Sequence, residues 1–203
     1  DNTISYELSV DDGDVTVNGG TITGPRALQL GLNNTDPNAV GTVTINAGAY
    51  VEGDPSSGKP SAIGNPDGNG TFSLIVDGGT AFGLGGQGTN SALALYDNGS
   101  IEIKNGGTLN LDEPGTYFGG GLTTGGDVTV TDGNLILQYE LRVGTLAGDS
   151  MIDIQAGQFD YRSLRLASEG DANGSGTLKI ASGVTRSNGS TELGGSAGQG
   201  NFI

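Results

Sequence analysis

One phrase recurs seven times along this chain, and it limits the possible folds more than any other feature. It reads apolar, any, apolar, any, any, Gly: Val15, Val17 and Gly20; Val43, Ile45 and Gly48; Leu74, Val76 and Gly79; Ile101, Ile103 and Gly106. It continues as Val128, Val130 and Gly133; Ile152, Ile154 and Gly157; Leu178, Ile180 and Gly183. Successive glycines of the phrase are 28, 31, 27, 27, 24 and 26 residues apart. A period in this range is the signature of a solenoid, in which each repeat buries its apolar face only against its neighbours.

Apolar residues at alternate positions form a strand with one buried face. The residue between each pair is Thr16, Thr44, Ile75, Glu102, Thr129, Asp153 or Lys179, mostly polar as an outward position requires. The glycine that follows suits a corner needing positive φ or no side chain. A second short strand is expected after most corners, at Thr21–Thr23, Ala49–Val51, Thr108–Leu111, Leu135–Leu137 and Phe159–Tyr161. A third precedes the next coil, marked by Leu28 and Leu30, Leu93 and Leu95, Leu141 and Val143, Leu164 and Leu166, and by Ile63 and Leu193.

Three strands per coil predict a triangular prism: an all-β, right-handed parallel β-helix (β-solenoid) of about seven three-stranded coils of 24–31 residues. Right-handedness is expected because parallel crossovers overwhelmingly take that hand. Inward residues should stack in columns about 4.8 Å apart, so seven coils would span roughly 34 Å. The expected organisation is one domain, residues 1–203, with incomplete coils at 1–13 and 200–203. Coil-length differences should fall in loops such as Asp54–Pro60 and Asp112–Thr116.

Composition removes the rival architectures. No segment keeps a 3.6-residue period, and glycines interrupt too often for helices. Disorder is the other reading of 33% hydrophobic residues with a net charge of −15, but regular apolar alternation opposes it. The 40 glycines do not fall at every third position, which excludes collagen. Cysteine and histidine are both absent, so no disulfide, thiolate metal site or imidazole chemistry is available. With eight Lys and Arg against 23 Asp and Glu, nucleic acid is not an expected partner. No apolar run is long enough for membrane insertion. A chain beginning at Asp1 reads as a processed, exported segment, which places it as secreted, extracellular or at a cell surface.

The stretches GTVTINAGAYVEG, GSIEIKNGGTLNL and GTLKIASGV resemble the glycine-rich repeats of bacterial autotransporter-type passengers and related right-handed β-helix surface adhesins. The resemblance covers nearly the whole chain and implies architecture and surface display; it also implies adhesion or scaffolding. The motif itself is structural and assigns no chemistry.

Three turns carry oxygen-bearing residues at alternate positions: Asn34, Asp36 and Asn38; Asn65, Asp67 and Asn69; Glu169, Asp171 and Asn173. Such spacing resembles the opening of a calcium loop, so the last two triplets are candidate calcium ligands. No bidentate glutamate follows at EF-hand distance, and the same residues are the ordinary residues of tight turns. No other cofactor is expected. Asn-X-Ser/Thr sequons occur at Asn33, Asn69, Asn98, Asn173 and Asn188.

An enzyme is not expected. A polysaccharide-active enzyme would need two carboxylates facing one cleft. Glu102 and Asp153 share the outward position of the first strand two coils apart, with Thr129 between them, roughly 10 Å by strand spacing. Asp160 and Arg162 flank Tyr161 near Arg165, a grouping a lyase could use. Charge pairing on a solvated face accounts for both groups. Ice binding would need unbroken hydroxyl rows, which Glu102, Lys104, Asp153 and Lys179 interrupt. The aromatics Tyr50, Phe72, Phe82, Tyr117, Phe118, Phe159 and Tyr161 suit core or corner packing better than a sugar-stacking platform.

The termini read as complementary fragments of a coil. Ile4–Tyr6 and Leu8–Val10 look like second and third strands without a first, while Gly200–Ile203 look like the opening of another coil. Uncapped solenoid edges template further pairing. The expectation is therefore head-to-tail self-association, with Ile4, Tyr6, Leu8 and Val10 at one end and Phe202 and Ile203 at the other. The expected function is a structural solenoid that forms or extends a surface fibre or stalk. The alternatives are an adhesin that binds a carbohydrate or cell-surface ligand and, further off, the enzyme.

Overall fold

The computed structural model describes residues 2–3, 7–24, 27–53, 61–84, 91–111, 119–137, 139–144, 149–166, 175–187, 189, 191–193 and 199–203. These residues form a parallel β-solenoid of three sheets. Sheet A contains β1 (Asn2–Thr3), β4 (Gly20–Thr23), β7 (Ala49–Glu52), β10 (Thr80–Phe82), β13 (Gly107–Asn110), β16 (Gly133–Ile136), β19 (Gly157–Tyr161) and β22 (Val184–Ser187). Sheet B contains β2 (Leu8–Val10), β5 (Leu28–Leu30), β8 (Ala62–Ile63), β11 (Ser91–Leu95), β14 (Gly119–Thr124), β17 (Glu140–Val143), β20 (Ser163–Leu166) and β23 (Thr191–Leu193). Sheet C contains β3 (Gly13–Val17), β6 (Val40–Asn46), β9 (Thr71–Asp77), β12 (Gly99–Lys104), β15 (Asp127–Val130), β18 (Asp149–Ile154), β21 (Ser175–Ile180) and β24 (Gln199–Phe202).

Each sheet has eight strands: β3 to β23 make seven three-stranded coils, and β1, β2 and β24 lie beyond them at the two ends. The terminal fragments carry no complete phrase, yet they pair. At one end Asn2 is the partner of Ile22 and Leu8 of Leu28; at the other Gly200 aligns with Gly176 and Phe202 with Leu178. The sheet A strand at the N-terminal end lies at Asn2–Thr3, before the Ile4–Tyr6 segment expected for it, and residues 4–6 lie outside the described residues.

The seven phrases are the strands of sheet C from β3 to β21. Val15, Val43, Leu74, Ile101, Val128, Ile152 and Leu178 form one continuous register column. From Val43 onward every member of that column is buried, as are Ile45, Val76, Ile103, Val130 and Ile154 beside it. Sheet A adds Val51, Ala81, Leu109, Leu135 and Phe159, and sheet B adds Leu30, Ile63, Leu95, Val143 and Leu166. Each Val, Leu, Ile or Phe side chain among them contributes about 1.5–3 kcal/mol when removed from water, and Ala81 less. The core is thus thin in cross-section but continuous along the axis, which is how a chain with few aromatics buries enough apolar surface.

Packing explains the glycines. Gly157 has φ +101°, and a Cβ there would strike the carbonyl of Gly133, its register partner one coil away. Gly133 has no positive φ, yet its Cβ would lie 2.5 Å from the Gly107 carbonyl. Positive φ and lack of room are two separate reasons for glycine at equivalent corners. Elsewhere the ring of buried Phe72 occupies the space that side chains at Gly41 and Gly70 would need, with a Cβ at either coming within 2.8 Å of it.

Candidate functional site

Among the described residues the interior is filled by the apolar core, so a partner would meet the outer faces and strand edges. On sheet C, Thr16, Thr44, Ile75, Glu102, Thr129, Asp153 and Lys179 form one outward column, as the alternation requires. Charges on this face are paired locally. Lys104 Nζ lies 3.0 Å from Glu102 Oε2, and Lys179 Nζ lies 3.3 Å from Asp153 Oδ2. Gln155 Nε2 also donates to Asp153 Oδ2 at 3.1 Å, while Asp153 Oδ1 is buried without a hydrogen-bond partner. The two carboxylates considered for glycosidase chemistry therefore occupy one column, separated by Thr129, and each is engaged by a lysine.

Sheet B carries a second charged cluster that the sequence reading had not singled out. Glu140, only 8% exposed, meets Arg142 Nε through Oε2 at 2.6 Å and Arg165 Nε through Oε1 at 2.7 Å. The two arginines are register neighbours on β17 and β20, so like charges would face each other at strand spacing without this carboxylate between them. The one available signal was Glu140 two residues before Arg142, repeated by an arginine one coil later.

The Asp160, Tyr161, Arg162 and Arg165 grouping is not brought together. Asp160 faces outward from sheet A, Tyr161 is buried with its ring 4.9 Å from that of Phe159, and Arg165 belongs to sheet B. Gln158 Nε2 donates to Asp160 Oδ2 at 2.5 Å.

The described candidate calcium triplet, Asn65, Asp67 and Asn69, is a turn closed by its own side chain. Asn65 is buried: its Oδ1 accepts from the Asp67 and Asn69 amides, both at 3.1 Å. Its Nδ2 donates to the carbonyls of Gly31, Asn34 and Asn69 at 3.1, 3.3 and 2.9 Å. Asp67 is exposed. One coil on, Asn98 accepts from the Asn65 amide at 3.0 Å and donates to the Asn69 carbonyl at 2.6 Å. Asn34 caps the preceding turn, with its Oδ1 accepting from Asp36 at 2.7 Å. Asn34, Asn65 and Asn98 thus tie three successive turns together. Glu169, Asp171 and Asn173 lie outside the described residues, among which no group of three acidic, His or Cys side chains could hold a metal.

The aromatics divide into two sets. Phe72, Phe159 and Tyr161 are buried, whereas Tyr50 and Phe82 face outward from sheet A and are half-buried; Tyr117 and Phe118 lie outside the described residues. Two outward columns run along this sheet. One is Thr21, Tyr50, Thr80, Thr108, Asn134 and Gln158; the other is Thr23, Glu52, Phe82, Asn110, Ile136 and Asp160. Partial burial, and after it the Glu52 carboxylate, raise the Tyr50 phenol above its ordinary value of 10.0.

At the ends, Val10 is buried and Leu8 half-buried, paired with Leu30 and Leu28. Ile4 and Tyr6 lie outside the described residues. Phe202 continues the ladder beside Leu178, and Ile203 is 70% exposed, with its amide donating to the Leu178 carbonyl at 3.0 Å. Among the described residues no helix is long and apolar enough to cross a membrane.

The architecture defines the chain as a parallel β-solenoid repeat protein. Comparison with protein families, with curated proteins and with solved structures finds no match.

Proposed function

We propose that this chain is an extracellular structural rod that forms or extends a surface fibre or stalk, its coils continuing head to tail through strand edges. One observation carries the reading: three parallel ladders follow one another in the same order along the whole described chain, around a single apolar core. Axial load on such a rod is shared by three sets of backbone hydrogen bonds.

Among the described residues, β1 to β3 and β22 to β24 each have a ladder neighbour on one side. Their other edges present backbone donors and acceptors that a further strand satisfies. Whether that strand belongs to more of the same chain or to a second copy, the product is a longer rod. Leu8 and Val10 at one end, and Phe202 and Ile203 at the other, lie where the columns would continue. The glycine-rich phrases, similar to those of autotransporter-type surface proteins, and a strongly acidic chain support display outside the cell.

Negative-stain electron microscopy of the purified chain over a range of concentrations tests this. The expected particles are narrow rods that lengthen by end-to-end addition, with a fibre-diffraction spacing near 4.8 Å along the axis. Monomers and irregular aggregates alone, even at high concentration, would remove the fibre reading.

A further inference from the structure

Among the described strands, sheet A alone carries aromatic residues at outward positions, Tyr50 and Phe82. Three consecutive strands, β10, β13 and β16, present Thr80, Phe82, Thr108, Asn110, Asn134 and Ile136, with no charge among them. Sheet C carries Glu102, Lys104, Asp153 and Lys179 outward and sheet B carries Glu140, Arg142 and Arg165, whereas strands β5, β8, β11 and β14 of sheet B are uncharged but hold no aromatic residue. We propose that this strip, with Tyr50 and Glu52 on the adjoining strand β7, is a binding platform for an uncharged, hydroxyl-rich polysaccharide lying across the strands.

Strand alternation calls for polar residues at these positions, yet Phe82 and Tyr50 stand there, both half-buried. Phe82 is the register partner of Glu52 and Tyr50 that of Thr80, one strand apart and offset by two residues. Strand geometry separates them by about 8 Å, close enough for one oligosaccharide to cover both rings. Aromatic side chains with a polar neighbour suit ligands that have one apolar and one wet side, as a pyranose does with its C–H face and its hydroxyls.

Hydrogen-bonding groups stand beside the rings and are oriented before any ligand arrives. Asn134 Nδ2 donates to Thr108 Oγ1 at 3.0 Å. That bond leaves the Thr108 hydroxyl proton to donate and the Asn134 carbonyl oxygen to accept, matching sugar hydroxyls that do both. Groups already held in place lose less rotamer freedom on binding. The corner from sheet C to sheet A also leaves the strip open along one side, because only two residues join β9 to β10, β12 to β13 and β15 to β16.

Charge selects the occupant. A net charge of −15 repels anionic polymers, and it equally repels a second copy laid side by side on this face. A neutral glycan meets neither penalty. Ice would need continuous hydroxyl rows, which Tyr50 and Asn134 interrupt in the Thr21 to Gln158 column.

Affinity electrophoresis through gels containing cellulose derivatives, mixed-linkage β-glucan, mannan or an anionic control such as alginate tests the proposal. The expected result is retardation by at least one neutral polymer and none by the anionic one. Phe82→Ala and Tyr50→Ala should each weaken retardation about tenfold, while Ile75→Ala on sheet C leaves it unchanged. Both variants remove half-buried side chains, so an unchanged circular dichroism spectrum and unfolding midpoint show that the fold survives. The proposal fails if no neutral polymer retards the chain, if both variants bind like the parent, or if the anionic polymer retards it equally. It also fails if sedimentation shows a dimer that Phe82→Ala dissociates, or if the parent shows thermal hysteresis that the variant loses. End-to-end assembly seen by microscopy should be the same for parent and variants, so loss of the rod reading leaves this platform standing, and the reverse.

Discussion

The corner from sheet C to sheet A and the corner from sheet A to sheet B join strands of the same kind, yet they obey different rules. Two residues make the first join in six of seven coils and three in the last, whereas the second runs from one residue, between Tyr161 and Ser163, to nine, between Glu52 and Ala62. At the first corner the turns themselves continue the ladder: Gly106 donates to Asp132 at 2.8 Å and Gly78 to Lys104 at 3.0 Å. From Gly79 to Gly183 the glycine column leaves no room for a side chain, because the preceding coil's backbone already occupies the space. The comparison teaches that coil length drifts only where the chain leaves the ladder, and the register of all three sheets is kept by one corner.

The sharpest way to break the comparison is an insertion. Two residues added between Ala47 and Gly48 should abolish cooperative unfolding, because the turn and every column beyond it lose register. The same addition between residues 56 and 57 should cost less than about 1 kcal/mol, as loop-closure entropy grows slowly with length. Equal losses in denaturant midpoint for both insertions would show that the two corners do not differ.

Gly157→Val adds a clash with the Gly133 carbonyl to a φ of +101° and should destabilise by roughly 3–5 kcal/mol. Gly68→Ala, at φ +71° with open space around its Cβ, should cost only about 1 kcal/mol. Together the pair separates lack of room from backbone strain. Leu135→Ala, in the column just past the tight corner, should cost about 3 kcal/mol through the cavity it leaves. A loss below about 1 kcal/mol would mean that the thin core collapses around it.

Asn65→Ala removes three donated bonds and two accepted ones from a connection between sheets B and C. A loss of about 2 kcal/mol is expected, since the buried Gly31 carbonyl is left without that partner. Such a loss would show that an asparagine tie can hold a loose connection much as the glycine column holds the tight one.

The smallest effect concerns pH. The Tyr50 phenol is raised above 10.0 in the folded chain, so the unfolded chain gives up this proton first. The associated stability is complete below the unfolded value and declines as pH climbs through the folded one. Glu52→Gln should move the tyrosinate absorbance step of Tyr50 to lower pH, read as a difference from Tyr50→Phe. No movement would leave burial as the sole cause.

Much of this was legible in the chain itself. The phrase ending in Gly133 contains most of the sheet C strand, the tight corner and the start of the sheet A strand, which is the part of the coil whose length varies least. The sheet A strands β10 and β22 and the sheet B strand β14 were harder to see, because Thr80–Phe82, Val184–Ser187 and Gly119–Thr124 lack paired aliphatics. The candidate surface residues were less legible still. Asn65 reads locally as a turn or calcium residue, and only its neighbours from adjacent coils show that its amide is spent on backbone carbonyls. Glu140 reads as an ordinary acidic residue until two coils place an arginine on each of its oxygens.

The sequence by itself determined the solenoid class, the inward columns and the position of the rigid corner, because alternation and glycine spacing are local properties repeated along the chain. Only the tertiary structure decided what the outward residues meet. Their neighbours lie one coil away, at connection lengths that vary, so the pairing of Glu140 with Arg165 and the outward strip around Phe82 emerge only once the register between coils is set.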